Sequence, residues 1–310
     1  MRRYLAFRIL QLPLILAAIY LLTFFLTWVV PGSPFDKDDK VSDKLAMKLM
    51  AQRFHADQWQ SFLAYYPLRI VRGDFGQSMQ YSDWSVTDIV KSALPISMAL
   101  GLFALSIATV AGVGIGVLAA VKRGGIWDFL SLTIALVGIS VPSFVVASAL
   151  LLFFCVRHPW FAISRCESIA DLILPGIALA LLPMAYITRL TRVAMLDVLS
   201  SDFVRTARAK GLSRAAVIWK HCLKHALLPV FTYLGPAAAA TLTGSFVVET
   251  VFNIPGLGQH FVNSVRNKDQ TLILAVVMIY STLLLVLNLL VDIGYSLLDP
   301  RISVQEKAAS

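Results

Sequence analysis

The sequence predicts an all-α membrane protein with six transmembrane helices and both termini on the inner side. Composition gives the class. Of 310 residues, 58% are hydrophobic and only 15% charged, whereas soluble globular domains carry about 25% charged residues. The mean hydropathy is +0.74. Length gives the elements: six apolar runs approach or exceed the roughly 20 residues that a helix needs to cross about 30 Å of hydrocarbon.

The runs are, in order, Ile9–Val30, Ile96–Val121, Phe129–Val156, Leu172–Thr188, Pro229–Val251 and Leu272–Leu297. Arg2, Arg3 and Arg8 precede the first, as they would a secretory signal. Its apolar stretch is longer than a signal core, and no small-x-small cleavage site follows Thr27-Trp28-Val29-Val30-Pro31, so it reads as a retained anchor. The fourth run is the shortest, and Asp292 interrupts the end of the sixth.

Charge fixes the orientation. With the N-terminus inside, the inner segments hold fifteen Lys and Arg against five acids, and the outer segments twelve against eleven. The bias of basic residues toward the inner face is the positive-inside pattern. The pI of 9.6 is thereby a topology signal and calls for no nucleic-acid partner. Cys155 and Cys166 flank or occupy one outer connection, where an oxidising compartment would let them pair. Cys222 lies on the opposite side, and three free thiols acting as small apolar fillers are the simpler reading.

Between the first two runs Pro31-Gly32-Ser33-Pro34 breaks the helix and an external cap follows. Asp36 to Phe54 reads as a surface helix with Leu45 and Leu49 on one face. Trp59, Phe62, Tyr65 and Tyr66 suit a membrane interface. Gly73-Asp74-Phe75-Gly76 turns the chain, and Asp83 to Lys91 leads into the second run. The cap is too small for an independent enzyme domain and has no composition suggesting a receptor's closed pocket. Further on, Gly112, Gly114 and Gly116 permit close helix approach, and Pro142, Pro175, Pro183 and Pro236 favour kinks. Each fits ordinary packing; together they fit a bundle that rocks between shapes.

Ser201 to Pro229 is a polar, basic island between two apolar runs. Ser201 and Asp202 suit the cap of a short helix from Phe203 to Lys210, Gly211 suits a left-handed terminator, and Ser213 suits the cap of a second helix ending near Pro229. The product is two short helices meeting at a glycine elbow. Phe203, Val204, Ala207 and Leu212 form its apolar knob, ringed by Arg205, Arg208, Lys210 and Arg214. Such a knob fits a groove on a soluble protein, with basic residues orienting the contact. A basic loop also serves topology alone, or lies on anionic lipid.

These passages carry a resemblance. Pro31-Gly-Ser-Pro-Phe35, Gly73-Asp-Phe-Gly76, Pro142-Ser-Phe144, Phe203-Val-Arg-Thr-Ala-Arg-Ala-Lys-Gly-Leu212, Glu249-Thr-Val-Phe252 with Pro255-Gly-Leu-Gly258, and Asp299-Pro-Arg301 look like the B-type oligopeptide and dipeptide permease subunits of bacterial binding-protein-dependent ABC importers. The island is the most specific of them. The resemblance implies an N-terminal tail and first span over 1–30, a periplasmic cap over 31–93, a permease core over 94–298 and a cytoplasmic tail over 299–310. It makes the island (about 201–228) a cytoplasmic coupling helix between spans four and five. Phe203, Arg205, Thr206, Ala207, Lys210, Gly211 and Leu212 are then the residues that meet an ATPase. Arg205-Thr206-Ala207 stands where the wider family has Glu-Ala-Ala, so a salt bridge made by that glutamate does not carry over. Implied partners are a homologous second permease, two cytoplasmic ABC ATPase subunits, a periplasmic solute-binding protein, a peptide substrate and membrane lipid. No cofactor is implied.

The remaining residues add little chemistry. No phosphate-binding Gly-x-x-x-x-Gly-Lys-Ser/Thr loop occurs, so ATP would be bound by another polypeptide. His221 and His225 are four apart but lack an intervening Glu, which disfavours zinc; His158 and His260 are isolated. No nucleophile, base and oxyanion set is present. Glu249 and Asp292 are acids near spans, which default to function, such as contact with a peptide amine or a proton relay. Capping or pairing with Arg266 or Arg301 near span ends is the plainer role. Two alternatives follow: a permease of the same family for nickel, glutathione or opines, and an ion-driven secondary carrier using Glu249 or Asp292.

Overall fold

The structure, a computed structural model, describes residues 2–29, 59–79, 81, 84–161 and 168–298. The expected surface helix over Asp36–Phe54, together with Cys166 and Arg301, lies outside the described residues. Apolar sequence in lipid must satisfy its backbone polar groups internally, and the described chain is accordingly almost all helical. The helices are α1 (Arg2–Val29), α2 (Trp59–Val71), α3 (Val86–Val121), α4 (Ile126–Ser140), α5 (Ser143–Leu151), α6 (Ile173–Leu199), α7 (Asp202–Ala209), α8 (Arg214–Ala216), α9 (Leu223–Ala226), α10 (Leu228–Phe252), α11 (Leu257–Asn267) and α12 (Gln270–Leu298). π-Helical turns at Leu152–Arg157 and Val217–Cys222 follow α5 and α8.

Four helices among the described residues are long and apolar enough to cross a membrane, those containing Arg8–Val29, Val86–Val121, Ala170–Leu199 and Gln270–Val291; α4 and α5 make a fifth if the bent pair is one span. This is a coarser count than the six apolar runs suggest. The run Phe129–Val156, expected as one span, is bent by 100° between α4 and α5. The cause is local: Pro142 has no N–H to continue the ladder, and Val141 before it is extended at φ −95, ψ 122, as residues before proline prefer. The fourth run, the shortest by hydropathy, lies in a 27-residue helix that continues past Thr188 to Leu199. The fifth lies in α10, 25 residues long with Pro236 inside.

The chain forms two compact units. One comprises Arg2–Ser97 and Pro255–Leu285. In it Tyr20, Phe24, Phe62, Tyr66 and Leu274 make a buried cluster, with the Phe62 and Tyr66 rings stacked 4.8 Å apart. Of the four aromatics expected at an interface, Phe62 and Tyr66 are thus core, while Trp59 and Tyr65 are exposed. Asp269 joins distant segments of the unit: its carboxylate accepts from the Ser78 hydroxyl, from Thr271 Oγ1 at 2.8 Å and from the Leu272 N–H at 3.1 Å. Nearby, Arg69 Nε donates to Asp74 at 3.0 Å, and Asp74 accepts the Gly76 N–H at 3.0 Å.

The other unit holds Met98–Ile254 and Val286 onward. Here α6 packs against α3, α4, α5 and α10. Its approach to α3 depends on Gly116: a Cβ there would meet Thr191 Cβ at 2.6 Å and the Thr188 carbonyl at 2.7 Å, closer than packed atoms come. This is the close approach that small residues allow between helices in lipid.

Candidate functional site

The basic island folds as an elbow of two short helices. Its first arm, α7, starts after Ser201, which occupies the N-cap position in extended conformation but makes no side-chain cap bond. Its hydroxyl instead donates backward to the Val198 carbonyl at 2.6 Å. The end of α7 follows the sequence expectation closely. Gly211 is left-handed at φ 78, its N–H donates to the Arg208 carbonyl at 3.0 Å, and the Leu212 N–H donates to the Ala207 carbonyl at 3.3 Å. These two bonds make a Schellman terminator, which satisfies carbonyls that a helix end leaves open. Ser213 Oγ then accepts the Ala216 N–H at 3.3 Å and caps the second arm. That arm runs through α8, the π-turn and α9. Pro229 does not end it but stands in the first turn of α10, where its missing N–H costs nothing.

An eight-residue helix is too short to hold itself; burial holds this one. Val204 is 0% and Ala207 8% exposed, one turn apart on one face of α7. They join Val217, Ile218, Cys222 and Ala226 of the second arm, Val117 and Ala120 of α3, and Met195 of α6 in one apolar cluster. Arg214 donates to the Val121 carbonyl at the end of α3, at 3.3 Å. Val204 and Ala207, expected in the outward knob, are therefore the elbow's anchors.

The outward face carries the rest. Phe203 and Leu212 are exposed, and so is Trp219, which the sequence reading did not single out. A lone tryptophan amid Lys220, His221 and Arg214 was the available signal. The Phe203 ring lies 5.4 Å from that of His225, which limits its motion. Arg205, Thr206, Arg208, Lys210 and Gly211 are also exposed, and the contact of Arg205 with Asp202, at 3.4 Å with both side chains in solvent, is worth little. Three apolar side chains amid several cations is the composition of a protein-docking patch.

Other candidates resolve differently. Glu249 is 0% exposed near the end of α10, not placed to reach water; the side chain of Asp292 lies outside the described residues. Cys155 and Cys222 are buried free thiols. No group of three His, Cys, Asp or Glu that could hold a metal occurs among the described residues.

The chain is similar to known proteins over most of its length. Residues 112–304 match the family described as binding-protein-dependent transport system inner membrane component. The dipeptide transport system permease protein DppB of Bacillus subtilis is 40% identical over 308 residues, 99% of this chain and 100% of that protein. The chain belongs to this family. The permease is also 39% identical to the oligopeptide transport system permease protein OppB of Haemophilus influenzae, over 90% of the chain and 92% of the relative. Among solved structures, an amino acid ABC transporter crystallised with histidines shares the fold, with a TM-score of 0.52 at 19% identity over 67% of the permease and 94% of that chain. The permease is accordingly a multi-pass protein of the inner membrane, and a transport subunit.

Proposed function

We propose that this permease is one of two homologous membrane subunits of an ATP-driven peptide importer. In this reading it crosses the membrane six times, with α4 and α5 as one broken span and α10 as another, both termini and the elbow being cytoplasmic. The segment after the first span is a periplasmic cap that meets a solute-binding protein. Two ATPase subunits dock on the elbows, and their closure on ATP draws the elbows together and shifts the path between outward and inward access. The observation that carries the reading is the two-faced elbow: Val204 and Ala207 are locked into the permease while Phe203, Leu212 and Trp219 are left outside. Filling a groove with such side chains contributes about 1.5–3 kcal/mol each, and Arg205, Arg208 and Lys210 steer the approach. Phe203, Arg205, Thr206, Lys210, Gly211 and Leu212 are the contact residues proposed, with Ala207 beneath them. A peptide substrate is supported by near full-length similarity to proteins named dipeptide and oligopeptide permeases.

Cysteine cross-linkers at positions 203 and 212 in intact cells should capture an ABC ATPase; capture of none rejects the docking role. Uptake of labelled di- and oligopeptides, set against nickel, glutathione and opines, identifies the cargo. An ion-driven carrier would lose transport to a protonophore while remaining indifferent to ATP.

A further inference from the structure

The turn joining α3 to α4 is tied to α6 by a partly buried, two-point ion pair. Arg192 Nε donates to Asp128 Oδ1 at 2.6 Å and Arg192 Nη2 to Asp128 Oδ2 at 2.9 Å, across 64 residues of sequence. The two side chains are only 18% and 8% exposed. Asp128 Oδ2 also accepts the N–H of Gly124 at 3.0 Å, and Gly124 is left-handed at φ 75. One carboxylate thus organises the whole turn and holds it to one guanidinium. The planar fork of arginine gives such a pair a fixed geometry that a single contact lacks.

The position of the pair sets its consequence. Arg192 lies about two turns before the end of α6, and α6 leads straight into the elbow through Ser200 and Ser201. Its neighbour Thr191 is the residue against which Gly116 of α3 is pressed, and a Cβ on Gly138 of α4 would meet Ala185 and the Leu181 carbonyl of α6 at 3.1 Å. α6 is therefore wedged against both α3 and α4, and the ion pair closes the wedge at its elbow end. Arg214 adds a tie from the elbow to the Val121 carbonyl, and Lys122 lies over the Trp127 ring at 5.1 Å. Apolar packing resists separation without fixing direction; the two-point ion pair adds a directional tie.

We infer that Asp128 and Arg192 are positioning residues for energy coupling: their pair makes the α3–α4 turn travel with α6 and the elbow as one body. The inference rests on the proposed docking role of the elbow. Without the pair a push on the elbow would reach α3 only through the apolar cluster beneath α7 and would leave the α3–α4 turn and α4 behind. ATP would then be hydrolysed without matching transport.

The test uses the complete importer, permeases with ATPase subunits, reconstituted in liposomes with its binding protein and a labelled dipeptide. Asp128→Asn and Arg192→Gln should each lower uptake per ATP hydrolysed by about tenfold, a size typical of changes along a coupled network, because neither neutral side chain can complete the two-point charged pair. The exchange Asp128→Arg with Arg192→Asp restores the ion pair but not the acceptor for the Gly124 N–H, so it should recover part of that ratio. An unchanged ratio in both single variants overturns the inference, as does parallel loss of assembled complex, uptake and hydrolysis, which is a stability effect alone. A measurement on the otherwise unaltered complex is independent of whether these variants fold. Spin labels at Arg123→Cys and at the exposed elbow position Ala215→Cys should keep their separation when ATP is added, and a change above one helical pitch, about 5 Å, overturns the proposal. If the wild-type importer shows no ATP-driven uptake, the functional reading fails; if it couples and the ratio does not move, this inference alone fails.

Discussion

Replacing Gly211 isolates the geometry of the elbow from its chemistry. Gly211 has φ 78, and a Cβ added there meets nothing within 4 Å, so a substitution at this site carries no clash and its cost is in the backbone alone. An L-residue in this left-handed region costs about 1–2 kcal/mol, less for Asn, and a β-branched side chain there is a true outlier. At 25 °C that range is a factor of about 5 to 30 in the population of the native terminator. The bond from the Leu212 N–H to Ala207 is what the strain opposes, so Leu212 leaves the proposed docking face first. Uptake of labelled dipeptide, normalised to membrane-inserted permease on immunoblots, should therefore fall in the order Gly, Asn, Ala, Val. The amount of inserted protein should stay constant, and ATP hydrolysis by the complex should persist. Val at full uptake refutes the argument. So does an Asn variant as impaired as Val, because backbone handedness would then not be the variable.

Three further outcomes follow from the packing. Gly116→Val should lower the thermal unfolding midpoint in detergent, with overpacking costing about 1–3 kcal/mol or more, since the clash includes the Thr188 backbone; Gly114→Ala, with open space around it, should leave the midpoint unchanged. Phe62→Ala should cost about 3–5 kcal/mol by removing the stack on Tyr66, whereas truncation of exposed Trp59 should cost far less by the same melting assay. For Asp74, burial pushes its pKa up, but the Arg69 side chain and the Gly76 N–H outweigh this and hold the carboxyl below its ordinary 3.8. A depressed carboxylate stabilises the fold above that ordinary value and loses its contribution as pH falls through the folded value. Protection of the Gly76 amide against exchange, taken relative to its intrinsic rate at each pH, should therefore fall on acidification below about pH 4 in the wild type, and show no such step in Asp74→Asn.

Hydropathy made the lipid-facing chain legible and misjudged its ends for one reason. It measures solubility in hydrocarbon, not helicity. α3 begins at Val86, ten residues before the apolar run at Ile96, because Thr87, Asp88 and Lys91 lower the hydropathy without breaking the helix. α6 continues to Leu199 for the same reason, through Arg189, Arg192 and Asp197. These extensions matter most, since Arg192 lies on one of them. Pro142 marked a break but carries no information about its angle; the 100° bend depends on what α4 and α5 pack against.

The elbow was legible where bonds are local. Gly211 and Ser213 act within three residues of themselves, and the sequence names their roles. The direction of Val204 and Ala207 is not local: their one-turn spacing was visible, but the side they face is set by Val117 and Met195. This inward packing changes what the elbow can do. A helix of eight residues gains nothing from its own hydrogen bonds beyond about the cost of starting it, so α7 stays formed only while Val204 and Ala207 stay buried. A partner that grips Phe203 and Leu212 cannot move α7 by itself without exposing those two side chains, at roughly 1.5–3 kcal/mol for the valine alone. Dragging α3 and α6 along exposes neither. In the proposed docking, the apolar anchor would thereby turn a contact at Phe203 and Leu212 into motion of the spans.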